Sequence, residues 1–240
     1  MAWRVPVQKR RLPGRAGKFS RSRVPYSELM DSAQRELSDQ IDQATQRLLD
    51  RARVITEPDL RVPSLLPGWT RARVLAHLAL GADAMRNLLA GVRTGQGRSA
   101  GASVEAHEAG LKHSESLRPE ELVSVLADSA MALRTVARQL PDDRWPVPVE
   151  VPGLSPFPAA ELLTRRLVEV ELHHCDLGAG YGPGAWPASF AAMELPEPMR
   201  SWRQDRLGYP DQSEPGLRPL RAPGPYRPGQ RLPGSWLGTR

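Results

Sequence analysis

Between Met30 and Glu194 the apolar residues of this chain fall at helical spacing in four separate segments, each closed by proline or glycine. This pattern constrains the fold more than any other feature, because a stripe recurring every three to four residues is buried only against another such stripe. Leu37, Ile41, Ala44 and Leu48 mark the first segment, with Asp31 or Ser32 as its cap and Ala52 as its end. Asp59–Gly68 is a break, set among Pro58, Pro63 and Pro67. Thr70 then caps a second helix, from Arg71 to about Val92, striped by Val74, Leu78, Met85, Leu88 and Val92. Arg93–Ser116 is rich in Gly and Ser and is expected as a long loop.

Pro119 suits the first turn of a third helix, with Glu120 and Glu121 beside its N-terminal dipole. Leu122, Val125, Ser129, Leu133, Val136 and Leu140 form its stripe. Pro141–Pro158 is expected to be extended. A fourth helix runs from about Ala159 to Leu177 and stops at Gly178 and Gly180, residues suited to a left-handed cap. Pro187–Leu195 begins a short fifth piece. With no strand pattern and no internal repeat, the expected fold is all-α, a four-helix bundle.

Charge divides the chain the same way. The whole carries a formal +6, which invites a nucleic-acid reading. Residues 1–25 hold eight Lys and Arg and no acid, a balance of +8. Leu195–Arg240 holds eight Arg against Glu197, Asp205, Asp211 and Glu214, a balance of +4. The body from Tyr26 to Glu194 is therefore +6 − 8 − 4 = −6. Nucleic acid is not expected as a partner of an acidic body. The expected organisation is a basic disordered extension over 1–29, the bundle over 30–194, and a Pro/Gly/Arg-rich disordered tail over 195–240. Nine Pro and six Gly in that tail deny it a helical period. It reads as a basic binding segment or, better, as a degenerate end such as a shifted reading frame. One cysteine, Cys175, excludes an internal disulfide or a Cys-only zinc site and is expected as a packed core thiol. No apolar run is long enough for a transmembrane helix, and no secretory leader is visible, so a cytoplasmic protein is expected.

The chemistry is concentrated in two of the helices. Glu169 and His173 are four apart, about 6 Å along one helical face, so a carboxylate and an imidazole can share an ion. Asp176, one turn on, can support that region as a hydrogen-bond acceptor. His77 sits mid-helix among apolar residues, facing the bundle interior or its edge. Two His and one Glu from two facing helices make a three-ligand site with an open position. By itself a Glu-x-x-x-His is common, and a lone buried His is often only hydrogen-bonded core. His174 and Glu171 point about 100° and 200° away and are read as off the ligand face. His107 and His113 fall in the expected loop and are read as solvated. There is no Gly-x-Ser-x-Gly elbow, no His-Glu-x-x-His and no strand-linked Gly-rich loop.

Three segments together resemble the mycothiol-dependent maleylpyruvate isomerase family. They are Leu66-Pro-Gly-Trp-Thr-Arg-Ala-Arg-Val-Leu-Ala-His77-Leu, Leu140-Pro-Asp-Asp-Arg-Trp145, and Arg166-Leu-Val-Glu169-Val-Glu-Leu-His173-His-Cys-Asp176-Leu-Gly-Ala-Gly-Tyr. The resemblance covers roughly Asp31 to Ala192. It implies a DinB-like four-helix bundle holding a divalent metal, usually zinc, on His77, Glu169 and His173. It further implies an enzyme that uses mycothiol as thiol cofactor to isomerise maleylpyruvate to fumarylpyruvate in gentisate-type aromatic catabolism. Related readings are a mycothiol-dependent S-transferase, or a metal-binding bundle without turnover. Family members carry a C-terminal α/β domain that contributes an Arg to the substrate cleft. Here Leu195–Arg240 stands in its place, so the resemblance assigns that role to no tail Arg.

Overall fold

Proline and threonine at helix starts, and glycine at helix ends, set most of the boundaries. The structure, a computed structural model, describes residues 26–96 and 104–209. The first helix, α1 (Tyr26–Ala52), starts before the expected caps Asp31 and Ser32. Tyr26-Ser-Glu-Leu-Met contains no helix breaker, so the helix reaches back to the first residue after Pro25. It thereby takes in the last four residues of the expected extension, whose other residues lie outside the described ones.

The Pro-interrupted stretch holds one helical turn, α2 (Glu57–Arg61), capped by Thr56. Thr70 caps α3 (Arg71–Thr94) as expected: its Oγ1 accepts the Arg73 N–H at 3.1 Å. Gly95, at φ 73°, closes that helix in the left-handed conformation. Pro119 opens α5 (Pro119–Arg138), and the Glu121 carboxylate accepts the Arg118 backbone N–H at 3.1 Å. The extended segment after it folds back as a minimal hairpin, β1 (Pro148–Val149) against β2 (Phe157–Pro158), paired Val149 to Phe157. The fourth long helix is α6 (Glu161–Asp176).

Helix α3 packs on α5 and α1 packs on α6, which together make the expected four-helix bundle. Its core forms two clusters. One gathers Leu48, Leu75, Leu78, Leu167, Val170 and Leu172. The other gathers Met85, Leu88, Leu89, Leu133, Trp145 and Phe157, under the hairpin. Near-continuous burial along α6, from Leu162 to Asp176 apart from Thr164, makes it the central helix. A charged residue on α6 after Glu161 is therefore placed in the interior whichever way it points.

Two expectations are corrected. The Gly/Ser-rich segment is not all loop: α4 (Val104–Glu115) occupies its second half and packs on α3. Leu111 is its fully buried anchor, and Glu115 accepts from Thr70 Oγ1 at 2.6 Å and pairs with Arg73 at 3.4 Å. The tail does not begin at Leu195. After the short α7 (Ala188–Ala191), the chain forms α8 (Met199–Leu207), which packs on α6. Leu195, Met199 and Arg206 are buried there, with Trp202 packed beside them. The remainder of the expected tail, from residue 210, lies outside the described residues.

Candidate metal centre

Helices α3 and α6 each bring buried polar side chains to the same point. Leu75 and Leu78 of α3 share one buried apolar cluster with Leu167 and Val170 of α6, and His77 faces Glu169 and His173. One potential ligand atom from each of these three lies within 4.8 Å of the other two. The side chains of His77, Glu169 and His173 are exposed by 1% or less. His77 Nε2 stands 3.8 Å from Glu169 Oε1, too far for a hydrogen bond. Both nitrogens of His77, both carboxylate oxygens of Glu169 and Nε2 of His173 are buried without a hydrogen-bond partner. Leaving a buried polar atom unsatisfied costs about 1–3 kcal/mol, more for a charged one. An ion held by one nitrogen of each imidazole and by the carboxyl group would satisfy all but one of these atoms.

The surroundings set the electronic state of the trio. Burial lowers the pKa of His77 against the pull of Glu169, which favours the neutral imidazole with an available lone pair. His173 Nδ1 lies 2.9 Å from Asp176 Oδ2. Burial alone would raise the Asp176 pKa, but Arg206 and His173 outweigh it and hold the carboxyl at about 2. An ionised carboxylate only accepts, so His173 Nδ1 carries a proton toward Asp176, and Nε2 is the nitrogen turned toward the trio. One turn before Glu169, fully buried Arg166 donates through Nη1 to the Leu78 carbonyl at 2.8 Å and offsets the Glu169 charge.

Aromatic side chains wall the site. Trp69 meets His77 edge-on at 5.3 Å between ring centroids, and Arg73 lies over the Trp69 ring. The His107 ring, carried by α4, stands edge-on to His77 at 6.2 Å, with its Nε2 buried and unpartnered. His107 is therefore not solvated as expected; the sequence signal was its four-residue spacing to Leu111, which puts both on the face that docks on α3. His113 is exposed, as expected. Glu171 and His174 lie off the trio, also as expected. Glu171 accepts from Tyr181 at 2.6 Å and Arg47 at 2.6 Å, while His174 stacks on Tyr181 at 3.8 Å. Cys175 is buried, and burial pushes its thiol pKa up, as suits an inert core residue. A cavity of about 470 Å³ between α1 and α5, lined by Ile41, Leu49, Leu133 and Arg166, includes none of the trio.

Residues 41–178 match the family model described as the mycothiol maleylpyruvate isomerase N-terminal domain. The chain belongs to this family. Among solved structures, this family member is similar to the mycothiol-dependent maleylpyruvate isomerase, at 28% identity and a TM-score of 0.62, with 65% of each chain covered. It is also similar to a histidine-to-alanine mutant of the mycothiol-dependent maleylpyruvate isomerase, at 27% identity and 0.62, again with 65% of each chain covered. The chain thus spans just under two thirds of those structures. No curated protein matches it. As a member of the mycothiol maleylpyruvate isomerase N-terminal domain family it has the helical architecture of its solved relatives, and no helix among its described residues is long and apolar enough to cross a membrane.

Proposed function

We propose that this chain is a metal-dependent, thiol-using enzyme of the mycothiol-dependent maleylpyruvate isomerase type, with His77, Glu169 and His173 as the ligands of a divalent ion, zinc. The observation that carries the reading is the five unpartnered atoms of the three converging side chains. Two imidazoles and one carboxyl group suit a borderline-soft ion, and three protein ligands leave a position for a small molecule. When bound there, zinc supplies a Lewis acid that lowers the pKa of a coordinated thiol, which yields thiolate at neutral pH.

The chain's own residues do the rest. Asp176 faces His173 Nδ1 and so directs its Nε2 to the trio, and burial favours the neutral form of His77, which leaves one of its nitrogens a lone pair for the ion. Trp69 and His107 shield the trio, which restricts water at a site where thiolate must outcompete hydroxide. The overall reaction is cis–trans isomerisation of maleylpyruvate to fumarylpyruvate. Mycothiol sulfur bonds to one alkene carbon, the former double bond rotates as a single bond, and loss of the thiol restores the alkene in the trans form.

The test is turnover by the full zinc-loaded chain with mycothiol and maleylpyruvate. Fumarylpyruvate should form only when both zinc and thiol are present, and Glu169→Ala should lower the rate by at least about 100-fold, the scale on which loss of a positioned electrostatic group acts. No turnover by folded, zinc-loaded chain contradicts the isomerase assignment. A mycothiol adduct that accumulates without returning thiol assigns a transferase instead.

A further inference from the structure

Asp176 is shared between the candidate ligand His173 and a helix outside the family match, which ends at residue 178. Its Oδ2 faces His173 Nδ1 at 2.9 Å and accepts from Arg206 Nη2 at 2.8 Å. Its Oδ1 accepts from Arg206 Nε at 3.1 Å and from the Tyr209 hydroxyl at 2.7 Å. Arg206 is 1% exposed, and its Nη1 donates back to the Trp202 carbonyl at 3.3 Å. All three guanidinium nitrogens are thus engaged inside the protein.

We infer that α8 and the turn after it belong to the metal centre, with Arg206 and Tyr209 acting as positioning residues that clamp Asp176 and through it orient His173. The inference rests on the metal reading above. The physical argument is the fork geometry. A carboxylate held by one hydrogen bond can rotate, whereas a bidentate guanidinium fixes its plane. Tyr209 takes up the remaining capacity of Oδ1, which leaves Oδ2 committed to Arg206 and His173. The imidazole is held at the other end of that arrangement. A plain tether between α6 and α8 would need only the Arg206–Asp176 pair. The sharing of Oδ2 with His173 is what makes α8 part of the site. Partners that orient a metal-bound His in this way typically contribute 10- to 100-fold in metal affinity.

The experiment measures cobalt(II) affinity and the cobalt visible spectrum in the full chain, wild type against Arg206→Gln, Arg206→Lys and Tyr209→Phe. Arg206→Gln should weaken cobalt binding about 10- to 100-fold and shift the visible bands. Arg206→Lys should recover part of that loss, since it restores the charge but not the fork. Tyr209→Phe leaves no charge unpaired and should fold; it should weaken binding about 2- to 10-fold, the worth of one hydrogen bond. If Arg206→Gln does not fold, the Lys and Phe variants decide. A merely structural tether lowers thermal stability and moves neither affinity nor spectrum. Wild-type affinity and spectrum in folded Lys and Phe variants overturn the inference while the metal reading stands. Wild-type chain that binds no cobalt overturns the metal reading, and this inference with it.

Discussion

His173 and His174 are sequence neighbours with opposite circumstances, and the difference follows from the 100° that separates them on α6. His173 turns toward His77 and Glu169. His174 stacks flat on Tyr181 beside Arg47 and Arg51, and burial together with those cations lowers its pKa to about 3. In the unfolded chain the same imidazole titrates near 6.5. Between these values the unfolded state binds one more proton, so stability is full above pH 6.5 and declines as pH falls toward 3. One proton corresponds to about 1.4 kcal/mol per pH unit. Urea unfolding of metal-free wild type and His174→Gln from pH 7 to pH 4 should therefore show the wild type losing stability more steeply. Parallel curves contradict the assignment. The Glu169/His173 pair and the distinct face of His174 are legible in the sequence because helical spacing alone decides them. Arg166 is not legible as a site residue, because only the three-dimensional docking of α6 on the Leu78 carbonyl puts it in the interior.

Helices α4 and α8 show what periodicity misses. α4 reads as loop because Gly110 and neighbouring polar residues dilute its stripe, leaving Leu111 as the main apolar anchor. Its helix is secured from outside, by Leu111 in the core and by Glu115 meeting Thr70 and Arg73. Leu111→Ala should cost about 2–5 kcal/mol in urea unfolding, the range for a fully buried leucine. A loss below 1 kcal/mol would mean that α4 is not docked. α8 was hidden for a related reason. Met199, Trp202 and Arg206 do recur at helical spacing, but the surrounding Pro and Arg make the whole segment look unfoldable. Its buried face includes an arginine, which a search for apolar stripes passes over. The four long helices were legible because each carries an apolar stripe, and two of them open at clear start signals, Thr70 and Pro119.

On the scale of the whole molecule, the net +6 comes from the ends; the acidic body carries the four long helices and the trio, and α8 from the basic C-terminal stretch packs onto it. Two helices distant in sequence must pack before the trio exists, so the site is a property of the bundle rather than of either motif. The cost of gathering five unpartnered polar atoms in one interior is borne by burial along α1, α3, α5 and α6. A divalent ion bound by the trio would offset that cost. Elemental analysis of the purified full chain after zinc loading and removal of free metal tests this most directly. The expected result is about one zinc per wild-type chain and none retained by His77→Ala or Glu169→Ala of native circular dichroism. Folded wild type without zinc, or variants that keep it, would contradict the assignment of these three side chains as a metal centre.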